Sequence, residues 1–121
     1  MDECKLGAME TKFAELIWMN APISSGDLVK LCEKALTWKK STTYTMLRRL
    51  CDRGIFENKG GLVSVLMTKQ EFIALQSERF VEETFDGSLP RFLTAFTLRK
   101  KLTGQEIDEL QRLINEKRGD L

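Results

Sequence analysis

The sequence predicts a mainly α-helical protein with one small β-hairpin, and three observations carry that prediction. Apolar residues recur at three- and four-residue spacing in six segments of the 121-residue chain. A β-branched run, LVSVLM at residues 62–67, follows a Lys59-Gly60-Gly61 turn and reads as a strand, with a partner strand at residues 55–58 before it. Positive charge is confined to the middle of the chain. Residues 39–69 hold 7 basic and 2 acidic side chains, whereas residues 1–38 hold 4 and 6, and residues 70–121 hold 8 and 10. The net charge of +1 therefore hides a +5 centre between two −2 flanks.

Taken in order, the elements explain themselves locally. Met9, Phe13, Leu16 and Ile17 share one face of a first helix over residues 8–19, and Trp18 extends it. Pro22 cannot continue a helix and pushes Ala21 toward an extended conformation, leaving Ile23 as a single extended rung. Ser24 or Ser25 caps a second helix running to about residue 36, with Asp27 where the helix dipole favours an acid. Leu28, Leu31, Cys32 and Ala35 form its buried face. Thr37 and Trp38 link it to a third helix over residues 40–53, and Gly54 stands where a left-handed C-cap is wanted. The hairpin comes next, its two glycines supplying positive φ.

The third helix has two chemically distinct faces. Thr43, Met46, Leu47 and Leu50 fall in a narrow apolar arc, while Ser41, Thr42, Thr45, Arg48 and Arg49 lie opposite, with Tyr44 at the edge. Asp52 is its only acid. A solvated face ordinarily mixes both signs of charge, with Glu–Lys pairs four residues apart. This one offers donors only, and arginine forks suit phosphates and guanine edges. A polar surface helix with chance basic residues is the competing reading of the helix alone. Its surroundings favour DNA, because two helices, a short link, a donor helix and a hairpin make the layout of a winged helix-turn-helix domain. Thr42, Thr45 and Arg49 are the expected groove-facing contacts. Lys39, Lys40, Ser41, Tyr44 and Arg48 would hold phosphates, and Lys59 at the wing tip would touch a phosphate at most.

Beyond residue 69 the pattern changes to helices alone. Phe72, Ile73, Phe80, Val81 and Phe85 make a stripe over residues 70–86, which Gly87 and Ser88 break. Residues 89–98 carry Leu89, Phe92, Leu93 and Phe96, with Pro90 suited to a first turn. Thr103-Gly-Gln-Glu106 is a capping box opening a last helix that buries Ile107, Leu110, Leu113 and Ile114. Arg99-Lys-Lys101 before it reads as a solvated linker. Five phenylalanines are more apolar surface than three short helices enclose alone. Pairing with a second copy covers it, and packing back on the first half is the alternative; the two-fold geometry of symmetric DNA readers favours the homodimer. The expected division is a winged-helix DNA-binding domain at 1–69 and a helical dimerisation region at 70–121.

Other chemistries lack raw material. The chain has no histidine, and Cys4, Cys32 and Cys51 are scattered without a CxxC pair. A disulfide framework, a zinc finger and cysteine–histidine catalysis are thereby excluded, so no metal, cofactor or catalytic residue is expected and the chain is not an enzyme. Cys32 and Cys51 read as small core residues. No apolar run approaches the roughly 20 residues that span a bilayer, and acidic residues 1–5 lack a signal peptide's layout. A cytoplasmic protein with no membrane partner follows.

Several stretches, in order, resemble the penicillinase and methicillin-resistance repressors and their copper-responsive relatives, the BlaI/MecI/CopY type. Residues 6–18, with Glu10 and a Leu16-Ile17-Trp18 ending, are similar to that family's first helix. Pro22-Ile-Ser-Ser and Asp27-Leu-Val resemble its turn and second helix. Trp38, Thr42, Thr45, Leu47, Arg49, Leu50 and Gly54 fit its recognition helix. Phe80, Phe85, Gly87, Ser88, Leu89 and the pattern from Leu102 to Leu110 look like its dimerisation region. The resemblance implies a dimeric winged-helix repressor on a palindromic operator. In antibiotic-responsive members it also implies a membrane sensor protease that triggers cleavage within the dimerisation region. Three positions differ from the family: Ser41 stands where a lysine is common, Leu62 where the wing carries an arginine, and Ala95-Phe96 where the cleaved bond is Asn–Phe. The cysteine-rich tail of the copper branch is absent.

Two functions fit these features. The leading one is a sequence-specific transcriptional repressor, a homodimer on a double-stranded DNA operator, with a sensor or protease of the antibiotic-response type as further partner. The second is a winged-helix protein-interaction module that no longer binds an operator, for which Leu62 and Ser41 speak.

Overall fold

The computed structural model describes residues 6–120; Cys4 and the rest of residues 1–5 lie outside them. Its elements run α1 (Ala8–Asn20), β1 (Ile23–Ser24), α2 (Ser25–Leu36), α3 (Lys40–Asp52), β2 (Phe56–Lys59), β3 (Leu62–Val65), α4 (Lys69–Phe85), α5 (Leu89–Arg99) and α6 (Gly104–Arg118). The fold class is the expected one, a winged helix followed by helices. Ser24 is the cap of α2, its side chain accepting from the Asp27 N–H at 3.0 Å. Gly54 takes φ 77°, and Gly60 and Gly61 take φ 57° and 86°, the double left-handed turn that a two-residue hairpin demands.

The three strands form one antiparallel sheet in the order β1-β3-β2. Ile23 stands opposite Val63, and Lys59 opposite Leu62. Extended residue Ile23 is thus a working rung that ties the helix-turn-helix to the wing. Ile55 is not in a strand, contrary to expectation. It is buried, and its carbonyl accepts from both Leu66 and Met67 N–H at 3.0 Å. That double bond anchors the base of the hairpin.

One core binds these parts. Phe13, Ala14 and Ile17 from α1 meet Leu28 and Cys32 from α2, Leu47 and Leu50 from α3, and Ile55, Phe56 and Val63 from the wing. Ala35, expected in the buried face of α2, is exposed. The buried stripe instead follows the four-residue ridge from Leu28 through Cys32 to half-buried Leu36. Burial pushes the Cys32 thiol up, and burial followed by the Asp52 charge does the same for Cys51, so both stay protonated and behave as small apolar groups.

Phe72 is a correction. Expected on the dimer surface, it is only 4% exposed and sits in this core, its ring 5.7 Å from that of Trp18. Trp18 also lies 5.4 Å from Phe56 and donates its Nε1–H to the Met67 carbonyl at 3.0 Å. A side chain with no free surface cannot join an interface. The two compact units of the chain divide between Arg79 and Phe80, inside α4.

The second unit has a different character. Rings of Phe80, Phe85, Phe92 and Phe96 stack edge-on or tilted at 5.7–6.1 Å, yet α5 and α6 bury no residue. Its helices are nevertheless well capped. Ser88 accepts from the Arg91 N–H at 3.2 Å, and the Thr103 box is closed, Thr103 N–H to Glu106 at 2.9 Å and Glu106 N–H to Thr103 at 3.1 Å. The Ala95–Phe96 bond lies inside α5, with the Phe96 carbonyl accepting from the Lys100 N–H at 3.1 Å.

A second capping box, Thr68 with Glu71, opens α4 in the same manner. In both boxes the backbone N–H of the threonine, and then its hydroxyl, hold the glutamate below its ordinary range. A carboxylate lowered by folding contributes stability above its unfolded value and loses it as pH falls through the lowered folded value. We expect carboxyl NMR titrations to give low values for Glu71 and Glu106. Thr103→Ala should raise that of Glu106 alone. An ordinary Glu106 titration in the unmutated chain would show that the box is open in solution.

Candidate nucleic-acid interface

The position of α3 is set from beneath. Thr43, Leu47 and Leu50 are buried, and the ring of Trp38 lies 5.2 Å from Phe13 just before the helix starts. With those residues inward, Ser41, Thr42, Thr45, Arg48 and Arg49 are all exposed, as are Lys39 and Lys40 at the start. Lys39 is the N-cap and makes no side-chain capping bond, and the first turn holds no acid. The positive end of the helix dipole thus lies beside two exposed lysines, which suits a phosphate.

The basic residues sort themselves by pairing. Arg53 meets Glu10 at 3.4 Å and is mostly buried; Lys69 meets Glu15 at 3.3 Å; Lys59 meets Glu57 at 3.1 Å. Among the described residues Lys39, Lys40, Arg48 and Arg49 have no carboxylate within ion-pair distance. Of the seven basic residues in the charged centre, the four without an ion-pair partner among the described residues are Lys39, the N-cap of α3, and Lys40, Arg48 and Arg49 on it. Lys59, expected to touch a phosphate, is at the exposed wing tip but shares its charge with Glu57. Such a surface pair is weak and exchangeable.

Hydroxyls on the exposed face are oriented by the helix itself. The Thr45 hydroxyl donates to the Ser41 carbonyl at 2.9 Å, which leaves its oxygen free to accept. Ser41, Thr42, Thr45 and Met46 line a shallow hollow of about 200 Å³. Arg49 reaches across only to the Met46 sulfur at 3.9 Å, a weak contact that a base edge would displace. Thr42, Thr45 and Arg49 thus share one open strip along the helix, while Arg48 lies beside it.

Tyr44 is placed otherwise than the sequence suggested. It is half-buried and its hydroxyl donates to Ser25 Oγ at 3.1 Å, so it is not presented as a phosphate donor. Ser25 is the residue that sequence reasoning missed. The Ser24-Ser25 pair signals a helix cap, but nothing local signals a contact to a residue nineteen positions away.

The second unit carries a groove of about 510 Å³ lined by Leu89, Phe92, Leu93, Phe96, Leu102, Leu110 and Leu113, with Glu106 and Glu109. Phe80 is 50% exposed, and Ile107 and Ile114 are about as open; Ile73, which belongs to the first unit, is exposed too. Val81 and Phe85 are half-buried.

A helix-turn-helix with a glycine-turned wing and a third helix exposing hydroxyls and arginines defines a transcriptional regulator of the winged-helix class. Comparison with known proteins gives the family: the sequence pattern of the penicillinase repressors matches residues 6–116, and the chain belongs to that family. It is 29% identical over 111 residues to the penicillinase repressor of Bacillus licheniformis, covering 88% of this chain and 87% of that one. Over 117 residues it is 22% identical to the methicillin resistance regulatory protein MecI of Staphylococcus aureus strain Mu50. The corresponding protein of Mammaliicoccus sciuri is 21% identical. Both matches cover 93% of this chain and 95% of the relative. Membership gives the chain a repressor's role in transcription. No helix among the described residues is long and apolar enough to cross a membrane.

Proposed function

We propose that this repressor binds DNA sequence-specifically, as a homodimer on a palindromic operator. The observation that carries the reading is the sorting of charge: the cations of the basic centre without an ion-pair partner among the described residues are all exposed, at the start of α3 and along it. Thr42, Thr45 and Arg49 read base edges, and Lys39, Lys40, Ser41 and Arg48 hold the backbone on either side. The exposed apolar faces of α4, α5 and α6 meet those of a second copy, which links two α3 helices in one assembly. Release involves a sensor or protease acting on the helical half.

Fluorescence anisotropy with fragments from upstream of the chain's own gene, against scrambled duplexes, tests this. If Lys39, Lys40 and Arg48 each neutralise one phosphate, log K falls against log salt with a slope of about −2.7 per protomer, or about −5 for the dimer. Saturation of one fragment at two chains per site is the expected result. A protein-interaction module has the Leu62 side chain in its favour, half-exposed at the wing tip where it faces Lys59 across the hairpin. That reading prevails if no duplex binds at any salt concentration.

A further inference from the structure

The Tyr44 hydroxyl faces away from the donor strip, and what it touches joins three elements. Its side chain packs along the edge of the core, and its O–H donates to Ser25 Oγ at 3.1 Å. Ser25 opens α2, and its backbone N–H donates to the Gly61 carbonyl at 2.7 Å. Gly61 is the second glycine of the wing turn, at φ 86°. One residue earlier, Ser24 pairs with Leu62 of β3. Ser25 therefore holds α3 through its side chain and the wing turn through its backbone.

These bonds add little to burial, since Ser25 and Tyr44 both keep part of their surface in solvent. The core beneath already fixes the fold. What the bonds restrict is the position of the α3 donor face relative to the wing tip.

We propose that Tyr44 and Ser25 are a positioning pair, which sets α3 against the wing so that groove contacts and backbone contacts engage in register. The inference rests on the operator-binding reading. Base contacts by a planar guanidinium depend steeply on distance and angle, whereas attraction to phosphates tolerates displacement. Losing the bond should therefore cost specific binding and spare non-specific binding.

The test compares full-length Tyr44→Phe, Ser25→Ala, the double variant and Ser25→Thr on the preferred duplex and a scrambled one. Hydroxyl-radical footprints provide a second readout. Each single variant that removes a hydroxyl should weaken specific binding about three- to tenfold, the effect of one net hydrogen bond. The double variant should be no weaker than either, and scrambled-duplex affinity should not move. If Lys59 at the wing tip reaches the backbone beside the groove, protection there should fade while protection under α3 persists, a change that general destabilisation would not produce. Ser25→Thr keeps a hydroxyl and should bind as the unmutated chain does. A preferred duplex bound equally well by Tyr44→Phe overturns this inference alone. Equal losses on both duplexes overturn it too and make Tyr44 a phosphate donor. An unmutated chain with no preferred duplex overturns the operator reading and this inference with it.

Discussion

Replacing Arg49 with alanine is expected to lower affinity for the operator by about 1–3 kcal/mol, roughly 5- to 150-fold, while leaving affinity for scrambled duplex nearly unchanged. Arg49 is exposed and has no ion-pair partner among the described residues, and its guanidinium touches a weakly accepting methionine sulfur at 3.9 Å. Removing it therefore takes nothing from the core, and the unfolding midpoint should not shift. Arg49→Lys sharpens the result, because lysine keeps the charge and loses the planar fork. If Arg49 reads a base, the lysine variant resembles alanine in specific binding. If it holds a phosphate, the lysine variant resembles the unmutated chain, and anisotropy titrations on both duplexes would show it.

The second large effect is expected in the helical half. Leu113 is 48% exposed on α6 and lines the apolar groove, so glutamate there costs a lone protomer little. Against a second copy it would place an unpaired charge in an apolar seam. Leu113→Glu should weaken self-association by about 100-fold or more, read by sedimentation, with helicity unchanged by circular dichroism. Operator affinity should collapse with it, since two half-sites are then no longer bound by linked helices. Met19→Glu is the control. Met19 is 81% exposed on the winged unit, and its substitution should leave both measurements alone. An unmutated chain that sediments as a monomer, or a Leu113→Glu chain that still dimerises, would remove the dimer from the reading.

Much of the fold is legible in the amino-acid sequence, for a physical reason. Helix faces, caps and glycine turns are local signals, and Gly54, Gly60, Gly61, Ser24 and the Thr103 box lie where spacing places them. The Thr68 box carries the same four-residue signature as the Thr103 box and is equally readable. What local pattern cannot do is assign a partner. Phe72 and Ile73 are adjacent on one stripe, but Trp18 covers the first while the second is left open. The charge excess is visible in composition, yet the partners of Arg53 and Lys69 lie 43 and 54 residues away. Only the fold subtracts those two cations; with Lys59 paired to Glu57 as well, four are left at the start and along the exposed surface of α3. Glu57 and Lys59, two apart on one strand, are the exception: period-two alternation puts them on one face.

The Ala95–Phe96 bond has its peptide groups tied up in the turns of α5. A peptidase takes its substrate as an extended strand, so a bond in mid-helix is offered only while the helix has locally melted. Every scission rate then carries the population of that melted state as a multiplier. In one chain α5 has no buried side chain to hold it shut. A second copy laid over Leu89, Phe92 and Phe96 would deepen the well from which it must open. Nicking at this bond would thus act as a gauge of assembly, fast in solitary protomers and slow in paired ones.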